Sequence, residues 1–153
     1  MRRYIFIALS LIFFMSSVFA MGDVPKQDAP AQADVAVAAK GNQVIAYYFH
    51  GNFRCYTCHT MEQYSKEAIE ANFKDELSSG KLEFKVVNIE ERGNEHFAQD
   101  YQLYTKSLVL SLVKDGKEAK SKNLPGIWEC VRNKQRFFDY VTKEVNGFLE
   151  EAK

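Results

Sequence analysis

Cys55 and Cys58 stand two residues apart in the run Phe49-His50-Gly51-Asn52-Phe53-Arg54-Cys55-Tyr56-Thr57-Cys58-His59. Thiols at that spacing can close into a disulfide and reopen, and their reactivity follows the thiolate fraction. An apolar stretch over 44–49 leads into the pair, and a helical repeat starting near Cys58 leads out. A sulfur at such a strand-to-helix junction meets the backbone N–H groups of the first helical turn, which favour its anion. Arg54 beside Cys55 favours the thiolate too, and His59 does so when protonated and turned toward the sulfurs. Tyr56 and Thr57, between the sulfurs, tune the reduction potential.

Two other chemistries compete for these residues. Cys55-Tyr56-Thr57-Cys58-His59 also spells the attachment pattern for c-type haem, with His59 as axial ligand and Met61, His50 or His96 as candidate second ligands. Met61 is too close to His59 in sequence to reach the opposite haem face. Small cytochromes of that kind are mostly helical, whereas this pair closes a buried strand, so haem is not favoured. A closed zinc site wants four ligands, and the chain has neither a second Cys pair nor a His-x-x-x-His spacing. A soft ion held by Cys55, Cys58 and His59 would need Cys130 or His96 brought near by the fold.

The elements that must position the pair read as follows. Residues 44–49 are apolar throughout and rich in β-formers, as a strand buried on both faces requires. Met61, Tyr64, Ala68, Ile69, Phe73 and Leu77 mark one face of a helix that ends at Ser78-Ser79-Gly80. On its water side Glu62–Lys66 and Glu70–Lys74 are spaced to pair. Residues 82–89 form a second strand, 94–101 a short helix, and 108–113 a third strand. Asp115-Gly116 signals a tight hairpin returning a fourth strand to about Ser121. After Pro125-Gly126 a last helix carries Ile127, Val131, Phe138, Val141, Val145 and Phe148 along one face. Cys130 on that helix reads as a small buried hydrophobe, Trp128 as core or partner surface, and His96 as a solvated or capping residue. The order is β-α-β-α-β-β-α, an α/β fold with a central mixed sheet flanked by helices. Helix crossovers imply parallel pairing for the first strands, and the hairpin adds an antiparallel edge.

The first residues of the chain point to export. Met1-Arg2-Arg3, an apolar run over 4–15 and a small-residue close at Val18-Phe19-Ala20 describe a signal peptide over 1–20. The apolar run falls short of the roughly 20 residues a spanning helix needs, so any membrane attachment is through this segment if it stays uncleaved. Residues 21–41 hold Pro25, Pro30 and many alanines without an apolar stripe, and read as a flexible linker to a domain over 42–153. Beyond residue 20 the chain has eighteen basic and twenty acidic residues, a formal charge of −2. That balance is no footprint for nucleic acid. A periplasmic or otherwise exported location follows, where a close Cys pair is governed by its potential.

This architecture, with Cys-x-x-Cys closing the first strand and Lys114-Asp115-Gly116-Lys117 at the hairpin, resembles the thioredoxin fold over residues 42–149. The resemblance implies that Cys55 is the nucleophile and Cys58 the resolving thiol. It also implies that Thr105, Lys106 and Ser107 form the loop facing the substrate, a protein thiol or disulfide partner. No cofactor beyond the redox-active disulfide is then needed. Three positions depart from the family pattern: Arg54 replaces a tryptophan, Phe49 a buried acid, and Ser107 or Leu108 a cis-proline. That proline helps keep metals off the sulfurs, so its absence leaves metal or metalloid binding, or a non-catalytic binding module, as an alternative. Tyr48 to Cys58 and Tyr104 to Leu110 are more narrowly similar to small exported proteins grouped with the ArsF subunit of a nitrophenyl-compound nitroreductase. That resemblance implies electron transfer to a partner reductase.

Overall fold

The computed structural model describes residues 41–153. The expected signal peptide over 1–20, and the expected linker except Gly41, lie outside the described residues. The described chain runs β1 (Gln43–His50), α1 (Tyr56–Asn72), α2 (Lys74–Ser78), β2 (Leu82–Asn88), α3 (His96–Asp100), β3 (Ser107–Lys114), β4 (Lys117–Asn123), α4 (Gly126–Cys130) and α5 (Lys134–Glu151). Its four strands form one mixed sheet in the order β2-β1-β3-β4. The fold is thioredoxin-like α/β.

β1 is central because its sequence offers apolar side chains to both faces. Val44, Ala46 and Tyr48 join the larger core with Leu108, Leu110 and Leu112 of β3. Met61, Ala68 and Ile69 of α1 and Phe137, Val141, Val145 and Phe148 of α5 close that core from the same side. Phe49 points to the other face, where Val109, Leu103, Tyr47, Phe97 and Tyr101 form a second cluster. Tyr47 and Phe49 stack there at 5.3 Å between ring centroids.

β2 pairs parallel to β1, but β3 enters antiparallel, with Phe49 opposite Ser107. The antiparallel part of the sheet therefore includes a central strand as well as the hairpin edge. The connection over 89–106 holds only the five-residue α3, too short to serve as the crossover helix that carries a chain back for parallel pairing. The chain instead starts β3 at the end where β1 and β2 finish. Asp115 and Gly116 both adopt positive φ, 51° and 76°, as the tight hairpin requires.

Both long helical readings are divided in the structure. The first breaks at Phe73, whose φ of −133° and ψ of 41° end α1 before α2 begins. The Asn72 side chain donates to the Ala68 carbonyl at 2.7 Å, drawing on a helical acceptor at the break. The last helix divides around Asn133, whose side-chain oxygen accepts from the Arg136 N–H at 3.0 Å and caps α5. That cap starts a new helical phase, so Phe137 is fully buried and Phe138 only partly. The two expected ion pairs on α1 re-form differently, with Glu62 meeting Arg54 and Lys66 meeting Glu70. No helix among the described residues is long and apolar enough to cross a membrane.

Candidate functional site

The Cys pair sits beyond the C-terminal end of β1, where a short loop turns into α1. Gly51 is buried in that loop because the Glu90 carboxylate occupies the space beside it: a Cβ there would lie 2.2 Å from Glu90 Oε1. The other Glu90 oxygen accepts from the Asn52 N–H at 3.1 Å, and Asn88 Nδ2 donates to Asn52 Oδ1 at 2.8 Å. The loop after β1 is thus latched to the chain that follows β2.

Cys55 is the N-cap of α1, with an extended backbone (φ −90°, ψ 168°). Its sulfur accepts from the Cys58 N–H at 3.4 Å, and its carbonyl accepts from the His59 N–H at 3.1 Å. A helix start leaves N–H groups without intrahelical partners, and here a sulfur receives one. The Cys55 thiol is pulled below the ordinary thiol range by the hydrogen bond from the Cys58 side chain, then by backbone N–H groups. Cys58 moves the opposite way. It is only 2% exposed, and burial raises its pKa, with the hydrogen bond to Cys55 adding to the rise and the Lys106 charge opposing it. Both thiols are free. Cys55 is half-buried and its sulfur is shifted toward the anion; Cys58 is covered and its sulfur is shifted toward the thiol.

Beneath the pair, the buried Tyr48 hydroxyl donates to the Cys58 carbonyl at 2.7 Å. Burial holds the Tyr48 pKa far above its ordinary value, so the phenol remains a donor. Arg54 is engaged by Glu62, nearly two turns into α1. Hydrogen bonds lead the lowering of Cys55. Tyr56 is almost fully exposed, Thr57 is half-buried and offers its backbone N–H to Cys55, and the His59 side chain is exposed. His50 is half-buried beside the Gly51 carbonyl, 2.9 Å from Nδ1.

The strand pairing of Phe49 with Ser107 brings the loop before β3 to the same end of the sheet. Thr105 is exposed there, and its carbonyl accepts from the buried Ser107 hydroxyl at 3.0 Å. Asn123 of β4 donates to the Ser107 oxygen at 3.5 Å. The Lys106 carbonyl accepts from Trp128 Nε1 at 3.0 Å, and the Lys106 ammonium lies 5.7 Å from the centre of the Phe53 ring. Trp128 and Phe53 therefore brace Lys106 where its charge reaches Cys58. Phe53, Tyr56, Tyr104 and Trp128 are four of the five large apolar side chains exposed among the described residues. Three belong to the two loops and the helix start around the sulfurs, and Trp128 is bonded to one of those loops.

Sequence reading placed Cys55, Cys58 and the 105–107 loop together, and missed Tyr48, Glu62 and the bracing by Trp128. Glu62 carried a signal, because it follows Cys58 by four residues and so shares its helix face. Tyr48 read only as a core residue, and its hydroxyl acquires a role through the placement of α1 over β1. Cys130 is buried in the main core and His96 is exposed, its Nδ1 2.9 Å from the Gly93 carbonyl. Among the described residues no three His, Cys, Asp or Glu side chains gather as a metal site would need, so neither Cys130 nor His96 completes a set with the Cys pair.

No family model matches the chain, and no curated protein matches it. Among solved structures it is similar to Fasciola hepatica thioredoxin, at 18% identity over 72% of this chain and 82% of that one, with a TM-score of 0.41. It is also similar to the zinc-bound form of human ERp44, at 18% identity over 69% of this chain and 27% of that one, TM-score 0.48. Arabidopsis thaliana thioredoxin O2 in its oxidized state matches at 12% identity over 63% of this chain and 76% of that one, TM-score 0.38. The assignment of the fold stands on the chain's own strand order and register.

Proposed function

We propose that this chain is an exported thiol–disulfide oxidoreductase that exchanges two electrons with a protein partner through Cys55 and Cys58. The observation that carries the reading is the opposite treatment of the two sulfurs. Cys55, at the helix start, is half-buried and shifted toward thiolate; Cys58 is buried and shifted toward thiol. Exchange needs that division between an attacking group and a resolving one.

The Cys55 thiolate attacks one sulfur of the partner's disulfide. A bond forms between Cys55 and that sulfur, the partner's S–S bond breaks, and the other partner sulfur leaves as a thiolate. Cys58, once deprotonated, then attacks the Cys55 sulfur. The Cys55–Cys58 bond forms, the mixed disulfide breaks, and the second partner sulfur leaves. The partner gains two electrons and the pair is oxidised. The reverse sequence oxidises a partner dithiol, and a partner reductase can take part in either direction. The Lys106 charge eases deprotonation of Cys58, and the exposed Thr105 backbone is available to an extended partner segment. The leader over 1–20 supports an exported, periplasmic-type location for this chemistry.

The reading is tested by trapping. Cys58→Ser removes the resolving sulfur, so incubation with a disulfide-bearing protein should leave a mixed disulfide on Cys55, visible as an adduct mass released by reductant. Absence of any adduct, with the variant folded, would remove exchange chemistry from the account.

A further inference from the structure

The two edges of the sheet are built differently. β4 (Lys117–Asn123) is exposed at every residue and carries Lys117, Lys120 and Lys122, a composition that resists pairing with another strand. β2 carries a single lysine, Lys85, which is paired with Glu83, and its outer edge is unpaired among the described residues. Leu82, Phe84 and Val86 alternate along β2 and therefore share one face. Leu82 is buried, Phe84 half-buried, and Val86 is 44% exposed although it lies on the face covered further along by α1 and α2. A cavity of about 450 Å³ opens there, lined by these three residues with Lys66, Glu70 and Leu77. On the opposite face Glu83 and Lys85 form a half-exposed ion pair at 3.1 Å.

We propose that the outer edge of β2 is a self-association surface on which β2 of a second copy pairs antiparallel about Phe84, joining the two sheets into one. The sequence of β2 is self-complementary in that register. Phe84 lies opposite Phe84, Leu82 opposite Val86, and Glu83 opposite Lys85, each of the last two occurring twice by the two-fold symmetry. Residues directly opposite in an antiparallel pair share a face, so the apolar residues form one continuous stripe beside the cavity. On the other face opposite charges alternate across the joint. A shift of one residue in the register centre, to Lys85, would set the two Lys85 side chains opposite each other and Glu83 opposite Val87. The charge pattern therefore selects the occupant, a second copy of this chain, as well as its register. Because the two β2 strands run in opposite directions, the thiol ends point away from each other and both remain open to partners.

The test is sedimentation of the full chain in a density-matched detergent with reductant present, so that neither the apolar leader nor an intermolecular disulfide differs between variants. Lys85→Glu sets like charges opposite twice and should weaken self-association by about tenfold or more. The double variant Glu83→Lys with Lys85→Glu restores opposite charges and should recover the parent association. Lys117→Glu on β4 should leave it unchanged. Circular dichroism establishes that each variant is folded. A parent chain that stays monomeric, a Lys85→Glu variant that associates like the parent, or a double variant as weak as the single one would each overturn the proposal.

Discussion

Replacing Tyr48 by phenylalanine removes a single hydroxyl from beneath the site and keeps the buried ring. The hydroxyl donates to the Cys58 carbonyl at 2.7 Å, and Tyr48 is fully buried. A hydrogen bond of this kind has a net worth of about 1 kcal/mol, and an acceptor left without its buried donor costs about 1–3 kcal/mol. The Cys58 carbonyl lies inside α1 and keeps its helical bonding, so the lower part of that range applies, about 1–1.5 kcal/mol. Urea unfolding of the reduced chain should then lose about 1 M in midpoint at an unchanged slope, taking a slope near 1–1.5 kcal/mol per M. Amide exchange should quicken most in the first turn of α1, at Cys58 and His59, since that turn loses its tie to β1. A midpoint within about 0.2 M of the parent, with first-turn exchange unchanged, would refute the claim that Tyr48 fixes the position of Cys58.

Two further outcomes follow from the electrostatics. Alkylation of the reduced chain should be fastest at Cys55, its rate rising with pH to a midpoint below that of the same thiols in the unfolded chain, with Cys58 lagging above it. Equal midpoints would contradict the division of roles. Lys106→Met keeps an apolar stem near Phe53 but removes the cation that opposes the rise of the Cys58 pKa. Stopped-flow resolution of a mixed disulfide should slow near neutral pH and recover as pH rises, and an unchanged profile would place Lys106 outside the chemistry.

The parts of this fold that were legible in sequence are those encoded by contiguous residues. The apolar run into β1, the Cys pair at its end and the Asp115-Gly116 turn each carry their own geometry. The direction of β3 was less legible, because it depends on how short α3 is rather than on any residue of β3. The breaks at Phe73 and Asn133 interrupt apolar repeats that continue on both sides, so periodicity alone runs through them. Asn133 did carry a capping signal, but the apolar repeat resumes on either side of it at Val131 and Phe137. At the site, Arg54 beside Cys55 suggested a direct electrostatic effect, but proximity in sequence says nothing of a carboxylate nearly two turns along the helix. Glu62 engages that guanidinium. Trp128 and Lys106 are 22 residues apart and meet only through tertiary packing.

The central claim is that Cys55 and Cys58 form a reversible two-electron couple. The most direct measurement is a redox titration of the chain against a glutathione series, with thiols alkylated in denaturant and counted by mass. The account predicts a single transition in which two thiols disappear together, at a potential within the span of about −270 to −120 mV known for Cys-x-x-Cys couples, and its loss in Cys55→Ser. Two thiols that stay free across the whole series, or two blocked permanently with the added mass of haem, would contradict it.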